Sequence, residues 1–469
     1  MKTKKHPRQN KNGEELPFAR ADATRAERKA IGKLRRGDCS LQSHSQIHIP
    51  SSGRDVIRVL EKSNEYRIPE LIPIRYARML ESPFTFFRGS AALMAADLAP
   101  TPASGFIVQA CGDCHIHNFG AFATPERNIV LDINDFDETL PAPWEWDVKR
   151  LAASLILAAE SNGYTREVGQ EAAFKMTRRY RQHMEELSQM TVLEVWYSRV
   201  EHKRLLEAGS KSSMQRARKT LKEGIAKSSP EILMEKLTTV SNGRLRFKDM
   251  PPLLCHLEGV SAGQTEKEAF EEYRKTLSDN RRVLLDKFEM VDIARKVVGI
   301  GSVGTICGVI LMVSSEQDYL VLQLKEARAS VLEPYAGISK YKHQGERVVN
   351  GQKLMQAASD MFLGWSTGPR KPHAHFFIRQ LRDVKIGANT ALWGKNDFSV
   401  IPEIAGEILA RAHARSGDAS ILRGYMGKTD AFEEAITSYA TAYADQTERD
   451  YNQFRKACKS GKLKVQELG

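Results

Sequence analysis

One glycine-rich turn inside a long apolar stretch constrains the fold of this chain most strongly. The segment that starts at residue 294, ARKVVGIGSVGTICGVILMVSSEQDYLVLQLKEA, alternates with a period of two and predicts three strands with turns at GSVGT and SSEQD. The first turn contains the pattern G-x-G-x-x-G over residues 299–304. In dinucleotide-binding domains this turn leads from a strand into a helix, whereas here the apolar segment ICGVILMV follows. The sequence therefore predicts a glycine loop between two strands.

A glycine loop between strands is the form that covers nucleotide phosphates in protein kinases. The candidate phosphate ligands in this loop are Gly299, Gly301, Ser302 and Gly304. In the third strand, YLVLQLKEA, alternation places Lys325 on the face opposite to the three leucines. A lysine there either extends along an edge to solvent or contacts the α- and β-phosphates.

A phosphate-binding lysine needs a partner that positions it. Glu346, at the start of the helical segment GERVVNGQKLMQ, is the candidate for this role. A glutamate in a first helical turn also interacts favourably with the helix dipole, which is the alternative explanation.

The decapeptide CGDCHIHNFG, residues 111–120, permits several chemistries. Haem attachment through C-x-x-C-H requires an oxidising compartment, and the basic start of the chain lacks the apolar centre of a secretory signal. A zinc site requires a second Cys or His pair, and no second C-x-x-C occurs. The two cysteines are then small buried residues beside a turn. A metal-dependent phosphoesterase could use Asp113 and His115, but no further motif of that class follows.

The pattern G-D-x-x-x-x-N in the same decapeptide is typical of a kinase catalytic loop and makes a geometric prediction. The segment NFGAFATPERNIVLDINDFDE predicts a β-hairpin around residues 124–128. Closing this hairpin brings Asn118, before its first strand, close to Asp135, after its second. We expect Asp113 and Asn118 to form the catalytic pair, with Asp113 as the base for an acceptor hydroxyl. We expect Asn118 and Asp135 to bind Mg²⁺, with Asp137 as a further metal ligand.

These segments also resemble known families. CGDCHIHN and INDFDETLPAPWEWDVKRLA are similar to the H-G-D-x-x-x-x-N, I-D-F-D and W-D-L-A motifs of aminoglycoside-phosphotransferase-like kinases, with Cys111 where that family has His. Nearly end to end, over about residues 50–455, the chain resembles a bacterial family known as domain of unknown function 2252. SPFTFFRGSAALMA, LQLKEARASVLEPY and ARAHARSGD are among the segments that carry this resemblance. That family is grouped with the protein-kinase-like superfamily.

The resemblance implies the catalytic role for Asp113, the metal roles for Asn118 and Asp135, and the phosphate role for Lys325. It also implies that Asp147, in the W-D-V segment, braces the catalytic loop. In this chain the catalytic loop precedes the glycine loop, the reverse of the order in kinases. We therefore expect an α+β, two-lobed, protein-kinase-like fold that is circularly permuted.

The expected organisation has four parts. A chain of 469 residues is longer than a single hydrophobic core usually accommodates, so more than one structural unit is expected. They are a basic, disordered arm over residues 1–45, a helical lobe with the catalytic loop and hairpin over 46–290, a β lobe over 291–390, and C-terminal helices that pack on the helical lobe over 391–469.

Charge and cysteine content exclude several classes of protein. The net charge is +12, but residues 1–36 contain 12 Lys or Arg and four acids and so supply +8 of it. With the rest nearly neutral and no basic strand interleaved with aromatic residues, we expect no specific nucleic-acid binding. The six cysteines are far apart, which favours reduced thiols in a cytoplasmic protein. No apolar run is long enough to span a membrane.

The leading hypothesis is a phosphotransferase that uses ATP and Mg²⁺ and acts on a hydroxyl group of a small molecule or protein that the sequence does not identify. Nucleotidyl transfer is a close variant. The alternatives are a metal-dependent phosphoester hydrolase built on Asp113 and His115, and a nucleotide-binding pseudokinase scaffold. Arg88 and His413 are further candidates for the cleft, although an Arg that braces a loop and a His on a packed helix are commonly structural.

Overall fold

A computed structural model describes residues 23–49, 54–207, 210–226, 230–241, 243–256, 264–297, 299, 301, 303–368, 374–381, 384 and 386–466. Within these ranges the helices are α1 Arg25–Leu34, α2 Val56–Lys62, α3 Ile72–Met79, α4 Pro83–Gly89, α5 Ala91–Leu98, α6 Trp144–Ser161, α7 Arg166–Gln189, α8 Val192–Tyr197, α9 Lys203–Glu207, α10 Lys211–Ala226, α11 Pro230–Leu237, α12 Gln264–Lys275, α13 Asp279–Leu285, α14 Glu333–Ala336, α15 Gln344–Met355, α16 Asp397–Ala414, α17 Ala419–Met426 and α18 Ala431–Lys459. The strands are β1 Ile107–Ala110, β2 Phe119–Ala123, β3 Ile129–Ile133, β4 Leu140–Pro143, β5 Val200–Glu201, β6 Thr238–Ser241, β7 Arg244–Phe247, β8 Leu254–Cys255, β9 Phe288–Lys296, β10 Cys307–Ser314, β11 Tyr319–Ala327, β12 Gly364–Thr367, β13 His375–Gln380 and β14 Ile386–Gly387.

The largest sheet has six antiparallel strands in the order β12, β13, β11, β10, β9, β8. Its β9, β10 and β11 confirm the three predicted strands, and the glycine turn lies between β9 and β10. The predicted alternation along β11 is also confirmed. Leu320 and Leu322 pack with α12 and α13 on one face, whereas Val321 packs with α11 and β7 on the other. The mixed α+β class with antiparallel sheets is therefore as expected.

The predicted hairpin is confirmed as β2 and β3, which pair in antiparallel register from Phe119 opposite Ile133 to Ala123 opposite Ile129. At its open end the Asn134 N–H donates to the carbonyl oxygen of Asn118 at 2.7 Å. Strands β14 and β5 extend the hairpin to a four-stranded sheet. The hairpin thus places the two segments that flank it side by side.

Helix α6 lies at the centre of the helical part of the molecule and is buried along almost its whole length. Trp144, at its start, stacks on Tyr180 of α7 with the ring centres 5.6 Å apart. Helices α7, α16 and α18 pack around it through one continuous apolar core. Because α6 is interior, any charged side chain that it carries must find a partner inside the protein.

Residues 54–98, which contain α2 to α5, form a segment that we call the cap. The cap packs on α18, with the ring of Phe454 5.3 Å from that of Phe86 and 5.6 Å from that of Tyr76. Arg54 strengthens this contact because its guanidinium binds both Asp97, at 2.8 Å, and Asp450 of α18, at 2.5 Å. The opposite side of the cap touches the glycine loop, where Leu71 and Ile74 pack on Val303.

The packing refines the expected organisation in two places. Residues 230–285, expected in the helical lobe, instead contribute α11, β7, α12 and α13 to the two faces of the six-stranded sheet. Residues 25–34, expected in a disordered arm, form α1, which packs on α17 because Gly32 allows its backbone to approach that of Ile421. Within the ranges given above, every helix is too short or too polar to cross a bilayer.

Candidate functional site

The six-stranded sheet, the hairpin and the cap surround a cavity of about 270 Å³. Most of the residues that the sequence predicts for the site line this cavity, although they come from segments nearly two hundred positions apart. They are Asp113, Asn118, Asp135, Asp137, Gly299, Gly301 and Lys325. The fold therefore brings three loops to one place. They are residues 111–118, which we call the catalytic loop after its predicted role, residues 134–137, which we call the acidic loop, and the glycine loop.

Lys325 is the centre of the charge network in this cavity. Its side chain is 4% exposed, and its Nζ lies 2.7 Å from Oδ2 of Asp137 and 3.5 Å from Oδ1 of Asp135. Burial by itself lowers the pKa of Lys325, but the charges of Asp135 and Asp137 outweigh it and the pKa is raised. The lysine therefore keeps its positive charge inside the protein.

Glu346 does not pair with Lys325, whose ion pairs go to Asp135 and Asp137. The N–H of Glu346 lies in the first turn of α15 and donates to His343 Nδ1. The next residue, Arg347, is the one that reaches the site. Its buried guanidinium donates to the carbonyl oxygens of Asp137, at 2.8 Å, and Thr139, at 2.6 Å. Helix α15 is therefore attached to the acidic loop through Arg347.

Asp113 is bound by a cation that the sequence analysis missed. Arg150 of α6 donates to Oδ1 of Asp113 from Nε at 2.7 Å and from Nη2 at 2.5 Å. Burial raises the pKa of Asp113, while the charge of Arg150 opposes this rise. His115 is also near, with its Nε2 3.8 Å from Oδ2 of Asp113. The signal was present in the segment WDVKR, where Arg150 follows Asp147 by one helical turn and faces the same loop.

Asp147 accepts hydrogen bonds from two backbone groups of the catalytic loop, the N–H of Cys111 at 2.6 Å and the N–H of Gly112 at 3.0 Å. His413 Nε2 lies 3.2 Å from the same carboxylate, and its Nδ1 lies 2.9 Å from the Tyr180 hydroxyl. Asp147 thus braces the catalytic loop, and His413 is a buried support for Asp147. Gly112 has φ +85°, a left-handed conformation that favours glycine at this turn.

The acidic side chains of the cavity repel one another. Burial and the neighbouring charge of Asp135 both raise the pKa of Asp137, and they act in the same direction on Asp113. Asn118 donates from Nδ2 to the carbonyl oxygen of Asp113 at 2.7 Å, which leaves its Oδ1 to accept. An amide oxygen beside closely spaced carboxylates is a suitable set of ligands for a hard divalent cation such as Mg²⁺, which needs few protein ligands. The charge of the cation would also relieve the repulsion between the carboxylates.

The cysteines and histidines of the decapeptide are weaker candidates for metal ligands than these oxygen atoms. Cys111 and Cys114 are buried in the apolar core, as expected for residues beside a turn. Across the described ranges no group of three or more His, Cys, Asp or Glu side chains is placed to hold a metal ion. A cation in the cavity would therefore rely on Asn118 together with one or two carboxylates.

The glycine loop is attached to the cap. The N–H of Ile68 donates to the carbonyl oxygen of Gly304 at 2.7 Å, and Arg67 donates to the carbonyl oxygen of Val303. Gly304 has φ +87° and packs against Arg67, whereas no described atom lies within 4 Å of a Cβ added at Gly299. Ser302 lies outside the described residues. Gly299 and Gly301 are therefore the loop residues that are open to the cavity.

Glu138, which follows the acidic loop, is a further cavity residue that the sequence analysis missed. Burial raises the pKa of Glu138 to about 7, although the Val331 N–H donates to its Oε2 and the charge of Arg347 opposes the rise. Three arginines of the cap, Arg67, Arg75 and Arg88, also line the cavity. Of these, the sequence pointed only to Arg88.

The model of the family described as "Uncharacterized protein conserved in bacteria (DUF2252)" matches residues 67–457, which is most of the chain. No curated protein and no solved structure matches this chain.

Proposed function

We propose that this chain, which belongs to the bacterial family DUF2252, is a phosphotransferase that moves the γ-phosphoryl group of ATP to a hydroxyl group. One observation carries this proposal. Lys325 of the glycine-loop sheet forms ion pairs with Asp135 and Asp137 in a cavity that Asp113 also lines. A phosphate-binding lysine, a pair of metal-binding carboxylates and a base are the groups that phosphoryl transfer requires at one site.

The topology of the sheet supports a protein-kinase-like fold. Along the chain, a glycine loop joins two strands, a third strand carries the lysine, and the helices α14 and α15 and two further strands follow. These five strands form one antiparallel sheet in which the lysine strand, β11, is central. After the sheet the chain continues through β14, which pairs with the hairpin, into α16, which packs on α7. This path supports a circular permutation that puts the catalytic loop before the glycine loop.

In the proposed reaction the acceptor oxygen forms a bond to the γ-phosphorus of ATP. The bond between that phosphorus and the oxygen that bridges to the β-phosphate breaks, and ADP leaves with the bond's electron pair. The hydroxyl proton passes to Asp113 and then to solvent. The raised pKa of Asp113 suits a group that takes up a proton, and Arg150 fixes the orientation of its carboxylate.

Lys325 would hold the nucleotide phosphates, and the backbone at Gly299 and Gly301 would lie against them. Asn118 and Asp135, with Asp137 beside them, would hold Mg²⁺. Bound Mg²⁺ supplies positive charge that neutralises the phosphates. Since Lys325 already binds Asp137, the phosphates must compete with that carboxylate for the lysine.

Thermal melting with ATP, Mg²⁺ or both tests this proposal. We expect ATP with Mg²⁺ to raise the melting temperature, since a ligand at one hundred times its Kd adds about 2.7 kcal/mol to the free energy of unfolding. Asp135→Ala should lose the Mg²⁺-dependent part of the rise, whereas Glu448→Ala, at an exposed position of α18, should keep it. No rise with the wild-type protein, or an unchanged rise with Asp135→Ala, would contradict the proposal. Binding without turnover of any acceptor would instead indicate a nucleotide-binding scaffold.

A further inference from the structure

The cap presents three arginines to the cavity, Arg67, Arg75 and Arg88. Arg75 donates to Oδ1 of Asn64 and to the carbonyl oxygen of Gly89, each at 2.6 Å. Arg67 donates to the carbonyl oxygens of Ser63 and Val303. Within the described ranges none of the three forms an ion pair with an Asp or Glu, and Nε of Arg88 has no hydrogen-bond partner.

Arg75 is buried and Arg67 and Arg88 are partly buried, and such a cluster is costly because burial without a contacting counter-charge disfavours the charged form. Burial lowers the pKa of all three arginines, that of Arg75 to about 10. Elsewhere in the cap the same fold does compensate a buried arginine, since Arg54 binds both Asp97 and Asp450. The charges of Asp113 and Glu138 act on Arg88 and Arg67 only from a distance, so none of the three cations has a described carboxylate in direct contact, and an anionic ligand could provide one.

Two of these arginines face different ends of the cavity. Arg67 contacts the glycine loop, which is the end proposed for the nucleotide. Arg88 lies at the end of the catalytic loop, because its guanidinium is 5.9 Å from the ring centre of Phe84, and that ring packs edge-on against His117 at 4.9 Å. Asp113 lines the same cavity. The start of α5, residues 90–92, lines the wall next to Arg88, and the helix has no side-chain cap there. The hydrogen bond of Arg75 to Gly89 holds the backbone between Arg88 and α5.

We propose that the acceptor is a small hydroxyl compound that carries an oxyanion, a phosphate or a carboxylate, and that Arg88 binds this oxyanion beside Asp113. The inference rests on the proposed phosphotransfer and names its substrate class. The planar guanidinium of Arg matches the paired oxygens of either group. The nucleotide is proposed to share this cavity of about 270 Å³, so the space left at the Arg88 end suits only a small acceptor. The oxyanion takes no part in bond formation, and Arg75 is a positioning residue.

Inorganic phosphate is the probe for this subsite. We expect phosphate to raise the melting temperature of the wild-type protein, also in the presence of Mg²⁺ and a saturating non-hydrolysable ATP analogue. Arg88→Gln should weaken phosphate binding at least tenfold in a calorimetric titration. Arg58→Gln removes the same charge from an exposed position of the cap and should bind phosphate like the wild type. Arg88→Lys keeps the positive charge but lacks the paired donors of the guanidinium, so it should bind phosphate with an intermediate affinity. It replaces Arg88→Gln in this test if that variant does not fold.

Two results of the phosphate titrations would overturn the inference. If the ATP analogue displaces phosphate, the arginines serve the nucleotide and not the acceptor. If Arg88→Gln binds phosphate like the wild type, the subsite lies elsewhere. Failure of ATP with Mg²⁺ to stabilise the protein is a separate result, since it would contradict the phosphotransfer itself whether or not phosphate binds.

Turnover with a set of acceptors distinguishes the two kinds of oxyanion. ADP release should be faster with sugar phosphates or with hydroxycarboxylates than with neutral polyols, and the faster of the two groups identifies the ligand. Arg88→Gln should raise the KM of that acceptor at least tenfold and leave the KM of ATP within twofold. Equal rates with neutral and anionic acceptors would contradict the inference.

Discussion

Lys325 Nζ lies 2.7 Å from Oδ2 of Asp137, although the two residues are 188 positions apart in the chain. This ion pair joins the central strand of the six-stranded sheet to the acidic loop that follows the hairpin. Together with Asp135, whose Oδ1 lies 3.5 Å from the same Nζ, the pair places a cation and two carboxylates where a nucleotide and its metal ion are proposed to bind. The stability of the empty site and its affinity for ligands therefore depend on the same side chains.

Lys325→Met tests the stabilising role of this pair. The substitution removes the cation and leaves Asp135 and Asp137 to repel each other, so we expect the free energy of unfolding at pH 7 to fall. Breaking a fully buried pair costs about 3–5 kcal/mol, and because these carboxylates are partly exposed we expect about 2 kcal/mol. Urea denaturation measures the change, with Lys342→Met at an exposed position as the control. An equal stability of both variants would contradict the role of the pair.

Asp137→Asn tests the competition between this carboxylate and the nucleotide phosphates. Without Mg²⁺, the variant should bind ATP up to about tenfold more tightly, because Lys325 is no longer held by a charged partner. Calorimetric titration of ATP in the presence of EDTA measures this affinity. In a Lys325→Met background the same substitution should have no effect, since the two changes act through one interaction. An equal gain in both backgrounds would show that Asp137 acts otherwise.

Asp147→Asn tests the support of the catalytic loop. The amide cannot accept with both ends, so one of the loop N–H groups, at Cys111 or Gly112, loses its acceptor inside the protein. We expect a loss of about 2–3 kcal/mol in the free energy of unfolding. Denaturant unfolding measures the change, and Glu448→Gln, exposed on α18, should differ from the wild type by less than about 0.5 kcal/mol.

Two glycines of the same loop should respond differently to alanine. Gly304→Ala forces a side chain into a left-handed conformation against Arg67, and we expect a loss of about 1–2 kcal/mol of stability. Gly299→Ala meets no described atom within 4 Å and should change stability by less than about 0.5 kcal/mol. It should nevertheless weaken ATP binding, because its methyl group projects into the cavity edge. Melting curves with and without ATP separate the two effects, and similar curves for both variants would contradict this assignment.

Glu138 should make the stability of the protein depend on pH. The pKa of Glu138 is about 7 in the folded state, whereas the ordinary value for a glutamate is 4.5. Between pH 4.5 and pH 7 the folded protein therefore holds a proton that the unfolded chain releases. Rising pH therefore favours unfolding, by about 3 kcal/mol over this range. Glu138→Gln stays neutral, so its stability relative to the wild type should rise by about that amount between pH 4 and pH 8. Urea unfolding across this range checks the slope, and Glu448→Gln should show no such trend.

Much of the candidate site was predictable because its parts are local in sequence. The hairpin fixes Asn118 and Asp135 near each other, and strand alternation fixes the face on which Lys325 lies. Glu346 could not be assigned in the same way, because the side chain that α15 presents to the acidic loop depends on how the whole helix packs. That packing brings Arg347 to the loop instead.

The contribution of the cap to the cavity could not be predicted from the sequence, for a related reason. Arg67 and Arg75 carry no motif, and their placement depends on contacts between residues up to 236 positions apart, such as that of Arg67 with Val303. Residues 230–285 were likewise expected among the helices. Their helical periodicity was sufficient to predict helices but could not show that α11 and α12 cover the two faces of the sheet.

The packing of the cap on α18 has a consequence for folding during synthesis. Arg54 and its partner Asp450 are 396 positions apart, so the ribosome completes the cap long before it synthesises the helix on which the cap packs. During that interval Phe86 and Tyr76 lack the aromatic surface of Phe454 that buries them in the finished protein. We expect nascent chains that stop before α18 to be bound by chaperones that recognise apolar segments, and to lack a closed cavity even when every residue of the catalytic loop and the glycine loop has been made.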